Sequence, residues 1–482
     1  MTESVSKNNS VQLSPIGVVG TGVMGASLAR NLARNLNKPI TVFDLDQAKV
    51  DALVERHPEA NLLGFSNLEE FVAALEHPQV VLLMVPAGRP VDASLTSLCE
   101  LLEPGGIVID GGNTHFSDTD RRVTFAAERG IKFIGMGVSG GEQGALWGPS
   151  LMPGGDPSVW EAISPLLEPI AAKADDGLPC VTLVGSGASG HFTKMVHNGI
   201  EYADIQLISE AYTLLRARGL SAAEAAAEFS RWNQGSERSY LLDSAAEVLA
   251  TEDPETHEAL VDHVLDHAKG KGTGAWTVMA AADHGVSVNV IAASFFARSA
   301  SSAIAERAEW IKNSASVPAT FDANRETIRD AYFAARLIAY QQGMSLLATA
   351  SKEYGWGIQL AEVNRIWRAG CIIRAGFLDD ISAVYRDNPE CASFTAVEPF
   401  KSQMNEQIRS LRQVVAMASL GAVPIPALAA ALNHQTMLRT ARLPTSLVQL
   451  LRDYFGAHTF ERTDAPGNFH IIWEGDRHQE RR

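Results

Sequence analysis

Between residues 13 and 187 the apolar positions come in short, solid runs. Pro15-Ile16-Gly17-Val18-Val19, Ile40-Thr41-Val42-Phe43, Val80-Val81-Leu82-Leu83-Met84-Val85, Ile107-Val108-Ile109-Asp110 and Lys132-Phe133-Ile134-Gly135-Met136 are too short and too apolar for surface helices. Such runs predict strands buried on both faces, as in a parallel sheet. Helical stretches separate them, beginning with Ala26 to Leu36. From residue 188 the runs stop, and long Ala-, Leu- and Glu-rich stretches take over. The first, His191 to Arg218, holds no Pro, and Met195, Ile205, Leu207, Ile208, Tyr212 and Leu215 recur in it at helical spacing. Gly219 follows it, where a cap glycine belongs. The pattern predicts an α/β domain over 13–187, an all-helical domain over 188–440 and a tail over 441–482. Residues 1–12 are polar and are expected to be disordered.

The first strand runs into Gly20-Thr21-Gly22-Val23-Met24-Gly25 and then a helix. This is GxGxxG in the context that gives it meaning, a strand before and a helix after. The first glycine permits a tight turn, the second lets a pyrophosphate approach the backbone, and the third lets helix and strand pack closely. The second strand ends in Asp44, the acidic position of the fingerprint. The fold class is therefore an α/β N-terminal Rossmann-type domain, followed by a large all-α domain and a C-terminal tail. Ligands of such sheets bind beyond the carboxyl ends of the strands. Gly111-Gly112-Asn113 and Ser139-Gly140-Gly141 fall at two of those ends.

Within the long helix, Lys194, His197, Asn198, Glu201 and Tyr202 fall at i, i+3, i+4, i+7 and i+8, on one face. An amine, an imidazole, an amide, a carboxylate and a phenol within two turns suit a site better than a solvated face, with a lysine base and a glutamic acid reaching one ligand. Further on, Lys271-Gly272-Thr273-Gly274 offers a cation, a hydroxyl and two glycines in a loop, chemistry suited to a phosphate or carboxylate. Arg298 lies beside Phe295-Phe296 and would need an anion if buried. A weak internal repeat is also visible. Gln206 precedes Trp232-Asn233-Gln234-Gly235 by the interval that separates Gln341 from Trp367-Arg368-Ala369-Gly370, as in a duplicated helical unit. The tail, Arg452 to His458 and then Ile471-Ile472-Trp473, is aromatic-rich and must bury its rings in its own domain or in a partner.

Composition narrows the reading. The chain has 482 residues, 46% hydrophobic and 20% charged, with a net charge of −16, which argues against a broad nucleic-acid interface. Four scattered cysteines (Cys99, Cys180, Cys371, Cys391) show no metal spacing and suit a reducing, cytoplasmic setting. No apolar run is long enough for a membrane span, and no secretory leader is visible.

Gly137-Val138-Ser139-Gly140-Gly141-Glu142, Gly148-Pro149-Ser150-Leu151-Met152-Pro153-Gly154-Gly155, Lys194 to Tyr202, Gly272-Thr273-Gly274 and Arg452 to His458 together resemble the decarboxylating 6-phosphogluconate dehydrogenase family. The resemblance runs from Ile16 to about Trp473. It implies oxidation of 6-phosphogluconate at C3 and loss of CO2 to give ribulose 5-phosphate, with a nicotinamide cofactor and no metal. It casts Lys194 as base and Glu201 as the general acid. It makes Asn113, Ser139, Gly140, Gly141, His197 and Asn198 substrate-orienting, and Tyr202, Lys271 and Arg298 phosphate-binding. It implies an obligate homodimer in which Arg452 and His458 complete the neighbouring subunit's site. Gly20, Thr21, Gly22, Val23, Met24, Gly25, the Asp44-Leu45-Asp46 stretch, Val85, Pro86, Ala87 and Asn113 would face the cofactor.

Two departures bear on that cofactor. The family usually carries Asn-Arg-Thr after the second strand, holding the 2′-phosphate of NADP; here Asp44-Leu45-Asp46 stands there. Pro86 stands where members often have Lys. Asp44 should accept from a free ribose 2′-hydroxyl and repel a 2′-phosphate, so NAD is favoured over NADP. Lys49 or Lys38 folding back would oppose this. An NAD enzyme would suit gluconate catabolism, an NADP enzyme the pentose phosphate pathway. A rival of another class, a non-catalytic NAD-binding or sensing protein on the same scaffold, would have no need to keep both Lys194 and Glu201.

Overall fold

The computed structural model describes residues 13–268, 270, 272–313 and 321–482. The polar stretch 1–12 and Lys271 lie outside the described residues. The chain divides into two compact units, Met1–Ala431 and Leu432–Arg482.

The first unit opens with a seven-stranded sheet: β1 (Gly17–Val19), β2 (Ile40–Phe43), β3 (Leu62–Phe65), β4 (Val80–Leu83), β5 (Ile107–Asp110), β6 (Lys132–Ser139) and β7 (Ser150–Gly154). Their order is β3-β2-β1-β4-β5-β6-β7. All neighbours run parallel except β6 and β7, which pair antiparallel with Ser139 opposite Ser150. The order reverses between β1 and β4, so the switch-point crevice lies at the carboxyl ends of those two strands. Alternate residues feed two cores. Ile16, Val18, Val42, Leu82, Ile109 and Ile134 pack on one face, and Val19, Phe43, Val81, Leu83, Val108 and Phe133 on the other. This is why the strands read as solid apolar runs.

The α/β and all-helical halves are as expected, with differences in detail. β3 is half-exposed and contains Gly64, so it gives no apolar run. β6 continues through Ser139 because β7 pairs along it, and β7 itself holds Pro153 and Gly154. The first helix begins at Val23, directly after the Gly22 cap, and not at Ala26.

Beyond the sheet, helices dominate. The long helix that carries Lys194 to Tyr202 runs Ser189–Ala217, and Gly219 follows with φ +95°. A second long helix, Arg325–Tyr354, packs against it. Between them Arg336 Nε donates to Asp204 Oδ2 at 2.9 Å and Tyr332 OH donates to Asp204 Oδ1, all three side chains being buried. The repeat has structural counterparts. Trp232 and Trp367 are both buried, Gly235 and Gly370 both take positive φ (+58° and +70°), and Ser239 bridges Ala375 antiparallel.

The second unit contains the helix Thr445–Gly456 and three short strands, β8 (Phe460–Glu461), β9 (Asn468–Ile472) and β10 (His478–Arg481). They gather around the buried Asp453. Its carboxylate accepts from Thr459 N, Ile471 N and Trp473 Nε1 at 3.0–3.1 Å and meets His470 Nδ1 at 2.8 Å.

Candidate active site

The Gly20–Gly25 loop crosses from β1 into its helix at the switch point. Gly20 has φ +98°, and a Cβ there would stand 2.6 Å from the Met84 carbonyl. A Cβ at Gly25 would stand 1.9 Å from the Gly20 carbonyl. Around Gly22 there is open space. Gly22 caps the helix without a side-chain bond, so the first N–H groups, Val23 and Met24 among them, are available to an anion. These features fit a dinucleotide pyrophosphate.

Asp44 closes the crevice. Its Oδ2 accepts from Thr21 N (2.9 Å) and Thr21 Oγ1 (3.0 Å), and its Oδ1 from Asp46 N (3.1 Å). Burial would raise the Asp44 carboxyl. The hydrogen bonds from Thr21 and Asp46 and the Lys49 charge outweigh it and hold the group below its ordinary value, as the carboxylate. Leu45 is exposed. Asp46 is occupied as the cap of the next helix, accepting from Ala48 N at 3.1 Å, with Lys49 Nζ 3.9 Å away. Lys38 is engaged with Glu76 at 3.1 Å. Val85, Pro86 and Ala87 follow β4, the last two exposed.

Lys194, His197, Asn198 and Tyr202 are all buried, while the Glu201 side chain keeps 26% exposure. The helix can lie this deep because glycines let it approach the sheet. A Cβ at Gly137 would meet Lys194 Cβ at 2.4 Å, and one at Gly190 would meet the Gly135 carbonyl at 2.4 Å. On the other side, a Cβ at Gly199 would strike Thr277 at 2.5 Å, whose Oγ1 donates to the Met195 carbonyl at 2.8 Å. His197 sits at the centre of the face. Its Nε2 is 3.0 Å from Ser139 Oγ, and its Nδ1 is 3.4 Å from Lys194 Nζ, 3.3 Å from Asn198 Oδ1 and 3.9 Å from Glu201 Oε2.

Burial sets the electrostatics. It pushes Lys194 below the usual lysine value, against the pull of Glu201. It raises Glu201, against the charges of Lys194 and Arg298. It drives His197 well below its ordinary value, helped by Lys194, so the imidazole is neutral. A neutral amine and a protonated carboxyl thus become accessible on one helix face.

Asn113, Lys194 and Asn198 line one pocket together with Thr114, His191, Met195, Thr273 and Trp276. Gly140 has φ +127°, and a Cβ there would stand 2.4 Å from the Gly370 carbonyl; Gly141, φ +63°, faces open space. Arg298 stacks over Tyr202, its guanidinium carbon 3.6 Å from the ring centroid. Lys271, outside the described residues, is followed by Gly272 as the cap of the helix Thr273–Asp283. Arg452 and His458 are exposed residues of the second unit.

Several neighbours were not singled out from sequence. Trp276 lines the pocket beside Thr273 of the expected Lys271–Gly274 loop, and His191 sits one turn before Lys194. The segment after Trp367 borders the site: the Trp367 and His197 rings meet edge-on at 5.5 Å, and Ile372 N donates to Ser139 Oγ at 3.4 Å. Cys371 Sγ donates to the Trp367 carbonyl, and burial pushes this thiol up to about 12, making it a neutral neighbour and not a nucleophile. Among the described residues no group of His, Cys, Asp and Glu could hold a metal ion, and no helix is long and apolar enough to cross a membrane.

Residues 15–185 match the NAD binding domain of 6-phosphogluconate dehydrogenase, and residues 190–473 match the C-terminal domain of 6-phosphogluconate dehydrogenase. The chain is 45% identical over 470 residues to the decarboxylating 6-phosphogluconate dehydrogenase of Synechococcus elongatus, covering 96% of this chain and 99% of the relative. It is 44% identical over 464 residues to the NADP(+)-dependent, decarboxylating enzyme of Bacillus subtilis, covering 95% and 98%. Among solved structures, Plasmodium falciparum 6-phosphogluconate dehydrogenase, studied apo, with its cofactor NADP+ and with its substrate 6-phosphogluconate, superposes with a TM-score of 0.90 at 37% identity. That match covers 95% of this chain and all of the Plasmodium chain.

Proposed function

The chain belongs to the 6-phosphogluconate dehydrogenase family, and from that premise we propose that it oxidises and decarboxylates 6-phosphogluconate with NAD as its favoured acceptor. The observation that carries the reading is Lys194, buried in the pocket with Asn113 and Asn198, with Glu201 two turns further along the same face. The cofactor, with its pyrophosphate held at the Gly20–Gly25 loop, would supply the nicotinamide as hydride acceptor. Neutral Lys194 takes the C3 hydroxyl proton as the C3 hydrogen leaves with its electron pair. As an ammonium it then polarises the new C3 carbonyl, so the C1 carboxylate departs as CO2 and its bonding electrons form an enol. Glu201 gives its proton to the carbon the carboxylate left, Lys194 takes back the enol proton it had supplied to the C3 oxygen, and ribulose 5-phosphate results. Base and acid serve adjacent carbons from one rigid helix, which is why they stand seven residues apart.

Ser139, Gly140, Gly141, Asn113, His197 and Asn198 orient the sugar acid, and Tyr202, Lys271 and Arg298 take its phosphate. Arg452 and His458 of the partner subunit complete the site in a homodimer. Asp44, held ionised by Thr21, suits a free 2′-hydroxyl, while the two cations that could rescue a 2′-phosphate are engaged with Asp46 and Glu76. A 2′-phosphate would lose a charge-assisted contact and meet a carboxylate, together about 2–4 kcal/mol. NAD use would suit gluconate catabolism, and NADP use the pentose phosphate pathway. The Bacillus relative is named as NADP(+)-dependent, so the cofactor is the point to measure.

The test is kcat/KM for 6-phosphogluconate with NAD and with NADP, following reduced cofactor and CO2 together. NAD is expected to win by about tenfold or more, equivalent to ~1.4 kcal/mol. Equal efficiencies would reject the Asp44 argument. Reduced cofactor without CO2 would reject decarboxylation, and cofactor binding without turnover would favour a sensing protein.

A further inference from the structure

Arg122 is wholly buried, and its guanidinium has three separate partners. Nε donates to Asp92 Oδ1 at 2.8 Å, Nη2 donates to the Gly88 carbonyl at 3.0 Å, and Nη1 lies 3.5 Å from Asp110 Oδ2. Gly88, φ +86°, ends the Val85–Gly88 turn beside the cofactor crevice. Asp110 is the last residue of β5 and is also wholly buried. Its carboxylate accepts from Gly112 N at 3.0 Å and Thr114 Oγ1 at 2.7 Å, which shapes the loop carrying Asn113. Its carbonyl stands 3.0 Å from His191 Nε2. The other ring nitrogen of His191 is 2.6 Å from Thr119 Oγ1. Burial lowers the His191 pKa against the pull of Asp110, so the ring is neutral and carries one N–H. That hydrogen faces the carbonyl at Nε2, and Nδ1 accepts from the Thr119 hydroxyl.

One contiguous network therefore touches the cofactor turn, the substrate loop and, through His191, the helix of Lys194. We propose that Arg122, Asp110 and His191 form a positioning centre that holds the cofactor turn and the reaction helix in one register, so that the nicotinamide and Lys194 address the same substrate carbon. The proposal rests on the functional reading above. Stability alone is a weak reason for such a group, because a buried ion pair is often no more stabilising than well-packed apolar residues. A guanidinium, unlike an ammonium, fixes the directions of three acceptors at once.

Arg122→Lys keeps the charge and loses the fork; Thr119→Val removes the partner of His191 Nδ1 at the opposite end of the network. Arg122→Lys is expected to weaken cofactor binding several-fold, measured by calorimetric titration without substrate, and to lower kcat by about tenfold to hundredfold through misplacement. Thr119→Val is expected to lower kcat while leaving cofactor affinity unchanged. In the double variant the loss in kcat should be smaller than the product of the two single losses. Arg122→Lys or Thr119→Val with a lowered Tm but wild-type kinetics would show a structural role only and overturn the proposal. Should Arg122→Lys fail to fold, Thr119→Val with wild-type kcat overturns it by itself. The substrate-free titration also separates the two readings. A wild type that does not turn over 6-phosphogluconate rejects the function, whereas unweakened cofactor binding in Arg122→Lys rejects the positioning centre.

Discussion

At the scale of single residues, the proposed chemistry turns on two opposite displacements with one cause. Lys194 and Glu201 are both pulled toward neutrality by burial, the amine downward and the carboxyl upward. The proposed reaction needs the amine without its proton and the carboxyl with one. Lowering the first and raising the second draws the two limbs of the pH–rate profile toward each other and populates that form nearer to neutrality. Wild type is expected to give a bell in kcat/KM against pH, its limbs belonging to the pair and not to either residue alone. In Glu201→Gln the acid is gone, and kcat should fall by about 10²–10⁴-fold. The residual activity should then rise with pH as Lys194 loses its proton, with no alkaline decline. That single limb should also lie at lower pH than Lys194 has in wild type, because the Glu201 charge now raises Lys194 and Gln cannot. A retained bell in Glu201→Gln, followed by stopped assays across the pH range, would exclude Glu201 as the acid.

At the scale of elements, the site depends on how closely a helix can be pressed onto a sheet. Gly137 on β6 meets the Lys194 stem directly, and no flexible side-chain end is there to yield. In Gly137→Ala the added methyl must push the Ser189–Ala217 helix outward, at about 1–3 kcal/mol for overpacking. The expected result is a lowered Tm and a strongly reduced kcat with unchanged NAD affinity, since the Gly20–Gly25 loop lies on another strand; wild-type kcat would show that the close approach is not needed. This packing also explains what the sequence could reveal. The parallel strands were legible because burial on both faces forces solid apolar runs, and the reaction face because five different polar groups share one helical stripe. β3 and β7 were not, since a half-exposed edge strand and a Pro-Gly strand carry no such run. The Trp367–Ile372 wall and the Arg122–Asp110 network were not either. Their partners lie far off in sequence, as with Ser139 and Ile372, so no local spacing records them.

At the scale of the whole molecule, the question is which chain completes each site. The helix Thr445–Gly456 exposes Leu447, Val448, Tyr454 and Phe455, at 62%, 55%, 60% and 72%, beside the exposed Arg452. Asp453 is the buried residue of that helix, and Gln449 Nε2 donates to the Thr459 carbonyl at 2.6 Å. An apolar face of this kind calls for a covering surface, and a second copy is the occupant the proposed function names. Mixing two inactive variants tests this. Lys194→Met would lack the base but carry an intact tail, and Arg452→Ala would have an intact base but a defective tail. If tails are exchanged, each mixed dimer holds one site with both Lys194 and Arg452, and the other site lacks both. Random pairing of equal amounts should then restore roughly a quarter of wild-type activity after subunit exchange. If each chain uses its own tail, every site in the mixture lacks one residue or the other, and activity stays at the level of the separate variants. Assaying the mixture before and after exchange through mild denaturant distinguishes the two, because only exchanged tails make the recovery depend on forming new dimers.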